Sequence, residues 1–214
     1  MSLKRLADAM IEGDVEKGKD LAKDLLEEGT TPKEILDDGV LAGMEVVGEK
    51  FKNFEMYIPE VLGSAQVMHE VMDILRPKLV DSGGETSKGT VVLGTVEGDM
   101  HDIGKNLVGL MLEGAGFKVV DIGIDQPAKS FVEAVEKENP EIVGMSALLT
   151  TTAPKIAEVI EALKQAGLRD SVKTMAGGAV IDQAFCDENG VDAYGPSATA
   201  AMEIAQKIVD EVKQ

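Results

Sequence analysis

From Leu3 to about Val80 the apolar positions recur at helical spacing: Leu21, Leu25 and Leu26, then Ile35, Val40, Leu41, Met44, Val47 and Phe51. Polar and turn-forming residues mark the breaks. Gly13-Asp14 separates a first short helix from a second, Glu28-Gly29 ends the second, and Thr31-Pro32 opens a third with proline where its missing N–H does no harm. Asn53 to Pro59 interrupts the pattern again, and a fourth helix runs from Pro59 through Val61, Leu62, Ala65, Met68 and Leu75. These lengths predict a small four-helix bundle. The polar, glycine-containing stretch from Asp81 to Gly89 follows as a linker.

Beyond the linker the period shortens. GTVVLGTV, FKVVDIG, IVGMSAL, VKTMAGG and, more weakly, VDAYG read as short buried strands, interleaved with four or five amphipathic stretches. Regular strand–helix alternation predicts a Rossmann-like (flavodoxin-like), doubly wound five-stranded parallel sheet. The expected fold is therefore α plus α/β, with a helical domain and linker over residues 1–88 and an α/β domain over 89–214. Sheets of this kind bind ligands outside the carboxyl ends of their strands, where the strand order switches.

Composition narrows the choice of partner. Hydrophobic residues make up 44% and charged residues 28%, the balance of a chain that folds throughout. A formal net charge of −18 repels a phosphate backbone or an anionic membrane, so neither nucleic acid nor a membrane is expected as a partner. Runs such as TVVLG are too short to cross a bilayer. With Cys186 as its one cysteine the chain has neither an internal disulfide nor a thiolate metal cage. The N-terminus MSLKRLADAM lacks the apolar core of a signal peptide, which points to a cytoplasmic protein.

The chemistry concentrates in GTVEGDMHDIGKNLVG, residues 94–109, where the first strand gives way to a helix. A histidine in such a loop is ordinarily a surface residue, and Asp102 could be a plain helix N-cap. The surroundings of His101 suggest more. Gly98 and Gly104 bracket it, letting backbone approach a large flat group, and Asp99 stands two residues before it. A carboxylate bonded to one ring nitrogen leaves the other aimed and unprotonated, the arrangement of metal-ligating histidines. No other His, Cys or clustered carboxylate lies near enough in sequence to complete a zinc site, and His69 sits among Met68 and Met72 in the helical half. A metal here would take its other ligands from a macrocycle.

Asp99-Met100-His101-Asp102-Ile103-Gly104 resembles the DxHxxG motif of cobalamin-binding domains. Three further features resemble that family in order: Ser146-Ala147-Leu148 as the SxL motif, Gly177-Gly178 after the fourth strand, and Tyr194-Gly195-Pro196-Ser197 after the fifth. The resemblance implies a cobalamin or related corrinoid bound base-off and His-on, with His101 as lower axial ligand to cobalt. It implies cofactor contacts from Gly98 to Gly104 and at Ser146, Leu148, Thr150, Gly177, Gly178, Tyr194 and Gly195. It also implies a hydrogen-bond relay from His101 through Asp99 to the hydroxyl six residues after Ser146, here Thr152.

Residues 43–68, GMEVVGEKFKNFEMYIPEVLGSAQVM, resemble the helical cap of methionine synthase and of small corrinoid proteins in methyltransferase systems. By that likeness Met44, Val47 and Tyr57 would face the upper side of the corrin, although methionines in a bundle are also ordinary core filling. The implied function is a corrinoid methyl carrier, a subunit of a methyltransferase system more than a stand-alone enzyme. It would accept a methyl group on cob(I)alamin from a substrate methyltransferase and deliver it from methyl-Co(III) to a second one acting on tetrahydrofolate or a thiol such as coenzyme M. A reductive activator would be a third partner, and residues 81–89 a candidate hinge. The donor stays open among methoxylated aromatics, methylamines, quaternary amines and methanol. Alternatives are a mutase cobalamin subunit, which typically lacks the helical half, and a cobalamin-based sensor, which commonly carries a tryptophan that this chain lacks. A flavodoxin-like receiver or nucleotide-binding protein fits less well, because the first loop has no G-x-G-x-x-G cradle.

Overall fold

The computed structural model describes residues 2–81 and 87–212. The chain divides into two compact units, Met1–Ser87 with Gly114–Gly116, and Lys88–Glu113 with Phe117–Gln214. The candidate hinge at 81–89 falls largely on 82–86, outside the described residues.

In the first unit α1 (Ser2–Glu12) and α2 (Val15–Glu27) are followed by one long helical run and then by α5 (Ile58–Asp81). The run consists of α3 (Pro32–Glu34), a π-helical segment (Ile35–Leu41) and α4 (Ala42–Lys52). Local chemistry sets the starts: Asp14 accepts from the Lys17 amide, and Thr31 with Glu34 forms a reciprocal capping box ahead of Pro32. Leu6, Met10, Leu25, Ile35 and Leu75 are fully buried. The sequence pattern gives no sign of the π segment. Within it Gly39, and just after it Gly43, lie so close to Leu6 and Met10 that a Cβ at either would crowd α1.

In the second unit β1 (Thr90–Thr95), β2 (Lys118–Asp121), β3 (Ile142–Ser146), β4 (Lys173–Gly177) and β5 (Ala193–Tyr194) form a parallel sheet in the order β2-β1-β3-β4-β5. The intervening helices are α6 (Ile103–Gly114), α7 (Ala128–Glu138), α8 (Pro154–Gln165), α9 (Gln183–Asn189) and α10 (Ala198–Val212). On one face, Val143 and Met145 bury against Phe131, Val135, Ile156, Ile160 and Leu163. On the other, Leu93 lies beside Gly109 of α6. This is the Rossmann-like, doubly wound sheet that the alternating pattern predicts. The chain leaves β1 toward β2 on one side and reaches β3 on the other, so the switch point lies between the carboxyl ends of β1 and β3, where Thr95 pairs with Ser146.

Candidate functional site

A slot of about 570 Å³ opens on the α6 side of the sheet, at the carboxyl ends of its strands. Its floor comes from register: Leu93, Gly144 and Met175 are successive partners across β1, β3 and β4, and all three line the slot. The glycine leaves a hollow between two large side chains, and a Cβ there would run into Leu93. Gly177, Gly178, Tyr194 and Gly195 line the far side, with Ala201 of α10. At Gly178 the backbone has φ +133, and a Cβ would overlap the Ala147 carbonyl oxygen, so only glycine fits.

His101 stands at the mouth with its side chain half exposed, and its Nδ1 lies 2.7 Å from Oδ1 of Asp99. A carboxylate accepts, so the proton belongs on Nδ1, and Nε2 is the nitrogen open to a ligand. Asp99 itself has no exposed surface. The His101 amide also donates to its Oδ1 at 3.1 Å, while the Leu148 amide and the Thr152 hydroxyl each donate to Oδ2 at 2.7 Å. Burial alone would raise the Asp99 carboxyl, but the donors from Thr152, Leu148 and His101 outweigh it and hold the group well below the usual carboxylate range. A buried carboxylate with four donors is ionised and immobile.

The supports of this loop come from three strands. The buried Thr95 hydroxyl, at the end of β1, donates to the His101 carbonyl at 2.9 Å. The segment after β2 runs alongside: the Gln126 amide donates to the Thr95 carbonyl, and the Thr95 amide to that of Gly123, each at 2.9 Å. Leu148 and Thr152 arrive from the loop after β3. At the start of α6, Lys105 is buried, lines the slot and pairs with Asp121 and Asn106.

Of the positions singled out in the sequence, Met100, His101, Asp102, Ile103, Gly104, Ser146, Leu148, Gly177, Gly178, Tyr194 and Gly195 all line the slot. Met100 and Ile103 are exposed apolar side chains beside His101. Gly98, Asp99 and Thr152 sit behind them as supports, and Thr150 is exposed outside the lining. In the helical unit Met44 and Val47 are buried, whereas Tyr57 is exposed. Sequence reasoning missed Thr95, Gly144, Met175 and Lys105. Gly144 carried a usable signal, since a glycine inside a strand pattern marks a close approach. Among the described residues no group of three or more His, Cys, Asp or Glu side chains could hold a metal ion, and no helix is long and apolar enough to cross a membrane.

The B12-binding domain model matches residues 89–211, more than half of the chain and the whole of this site. The chain belongs to the B12-binding family. A second B12-binding domain model matches residues 2–76, the helical unit. This B12-binding chain is 46% identical to the trimethylamine corrinoid protein 1 of Methanosarcina acetivorans, over 90% of its own length and 89% of the relative's. It is 43% identical to the dimethylamine corrinoid protein 1 of the same organism, over 83% and 84%. Among solved structures it resembles the methanol:cobalamin methyltransferase complex MtaBC from Methanosarcina barkeri with a TM-score of 0.90 and 33% identity, covering 98% of this chain and 80% of that one.

Proposed function

We propose that this protein is a corrinoid methyl carrier in which Nε2 of His101 is the lower axial ligand to cobalt. One observation carries the proposal: the 2.7 Å contact of His101 Nδ1 with buried Asp99 fixes the ring and commits its other nitrogen to the mouth of the slot. A single imidazole suits a metal whose in-plane positions belong to a macrocycle. The glycine-floored slot beside it has the volume and the apolar lining for a displaced nucleotide tail, so the cofactor binds base-off and His-on. When bound, the cobalt supplies a strong nucleophile and a carrier for the methyl group.

The chain's own residues orient and tune that group. Asp99 fixes the tautomer and the ring orientation of His101. Thr152 and the Leu148 amide hold Asp99 in turn, linking the loops after β1 and β3 across the switch point. Ser146, Leu148, Gly177, Gly178, Tyr194 and Gly195 receive the tail. Of the three positions named in the helical unit, Tyr57 is the one with side-chain surface to offer a ligand.

The methyl group arrives from a methyltransferase acting on a methylated amine. This is supported by identities of 46% and 43% to trimethylamine and dimethylamine corrinoid proteins. A second methyltransferase passes it to tetrahydrofolate or a thiol such as coenzyme M, and a reductive activator restores oxidised protein, all in the cytoplasm.

Anaerobic reconstitution with hydroxocobalamin, followed by gel filtration and visible spectroscopy beside His101→Ala, tests the cofactor. Stoichiometric corrinoid with an axial-ligand band shift that the variant loses is expected; a folded wild type that retains none refutes the proposal. Methylation by trimethylamine, dimethylamine and methanol methyltransferases then tests the donor, with an amine system expected to be fastest.

A further inference from the structure

Asp125, in the connection after the edge strand β2, is exposed, lies outside the slot lining, and has φ +53. A residue with a Cβ adopts that left-handed conformation rarely, and aspartate tolerates it better than most. The reversal turns two groups toward the loop that carries His101. The Asp125 amide donates to the Asp99 carbonyl at 3.0 Å, and Oδ1 of Asp125 accepts from the Gly98 amide at 2.6 Å. One residue thus holds the Gly98 amide and the Asp99 carbonyl, the backbone groups on either side of the Gly98–Asp99 peptide. Gly98 has φ +80, so its amide is presented by a turn that is itself left-handed.

The last residue of β2 itself, Asp121, reaches the other end of the loop and pairs with Lys105 at the start of α6. Asp99 carries all the side-chain bonds that aim His101, yet its own backbone is anchored by few partners. The Asp99 amide donates to the Val96 carbonyl at 3.1 Å, and the remaining tie is Asp125. We infer that Asp125 is a positioning residue: it fixes the backbone under Asp99 and thereby the direction in which His101 presents Nε2. This rests on reading His101 as the axial ligand.

The test uses the full chain with Asp125→Asn, which tolerates the left-handed turn and keeps an acceptor oxygen, and Asp125→Gly, which keeps the turn and removes the acceptor. In the protein without corrinoid, Asp125→Gly should lose at least tenfold of the Gly98 amide's exchange protection, together with the hydrogen-bonded Nδ1 proton of His101. Asp125→Asn should retain both. In wild type, a through-hydrogen-bond coupling between the Gly98 nitrogen and the Asp125 carboxyl carbon is expected, and its absence overturns the inference without any variant.

After loading with cobalamin, the Co(II) electron paramagnetic resonance spectrum should show splitting from a histidine nitrogen in wild type and Asp125→Asn, reduced at equal corrinoid content in Asp125→Gly. If Asp125→Gly keeps both protection and splitting, Asp125 is a surface turn residue and the inference fails while the corrinoid reading stands. If wild type takes up corrinoid without nitrogen splitting, the axial-ligand reading fails, and the Gly98 and His101 signals still decide what Asp125 does to the loop.

Discussion

Replacing Thr152 by valine takes one donor from a carboxylate that has four. Asp99 is wholly buried, and the Thr152 hydroxyl reaches its Oδ2 at 2.7 Å from a residue that is itself buried. A hydrogen bond to a charged group contributes about 1.5–3 kcal/mol. Because Oδ2 keeps the Leu148 amide at 2.7 Å, the lower half of that range applies, about 2 kcal/mol. The same loss moves the Asp99 carboxyl up, against its present depression, because the Thr152 donor favours the charged form. Thr152→Ser keeps the hydroxyl and should recover most of both effects.

The chain has no tryptophan and two tyrosines, Tyr57 and Tyr194, so a Tyr57→Phe background leaves Tyr194 as a fluorescent reporter of the α/β unit. Followed this way in urea at pH 7, Thr152→Val should unfold about 1 M earlier than its parent, for a slope of about 2 kcal/mol/M. Carbon-13 titration of Asp99 reads the upward displacement of its carboxyl. Valine and parent sharing a midpoint, or serine and valine falling together, would refute the assignment of that energy to the hydroxyl.

Gly144→Ala should fold, because the atom it meets is the end of the flexible Leu93 side chain, but it pushes that side chain toward the slot; equilibrium dialysis should show corrinoid affinity down at least tenfold. Gly178→Ala meets backbone at a positive φ and should cost about 3 kcal/mol or more, read as early urea unfolding of the α/β unit; wild-type stability would contradict the geometry. Phe54 is 83% exposed with φ +59, so Phe54→Gly should stabilise the helical unit by about 1 kcal/mol, raising its calorimetric midpoint by about 5 °C. Asp99 is depressed below the unfolded value of about 3.9, so its stabilisation is complete above that pH and is lost as pH falls through the folded value. Asp99→Asn should therefore be less stable at pH 7 with a flatter acid limb, and parallel limbs in an acid-unfolding series would remove the carboxylate from the account.

The chain's local chemistry states its elements plainly. Val91 to Leu93 and Ile142 to Met145 are buried strands because apolar runs of that length, closed by turn residues, have no other way to hide. Asp14 and Thr31 start helices because their oxygens meet amides three residues on, within reach of the local backbone. His101 stood out for the same reason: Asp99, its partner, is two residues away. Thr152 was legible only through likeness to a family, since its bond to Asp99 spans 53 positions.

The sequence by itself therefore determined the helical half, the alternating half and the loop that carries His101, all of which depend on neighbours within a few residues. The tertiary structure alone decided that β3 lies beside β1, which sets the Leu148 amide and the Thr152 hydroxyl against Asp99 and puts Gly144 between Leu93 and Met175. It likewise decided that Asp125 turns back onto Gly98 and Asp99. Hydrophobic period is a local property and survives being read along the chain, whereas strand order and the hydrogen bonds that cross it exist only once distant segments share one sheet.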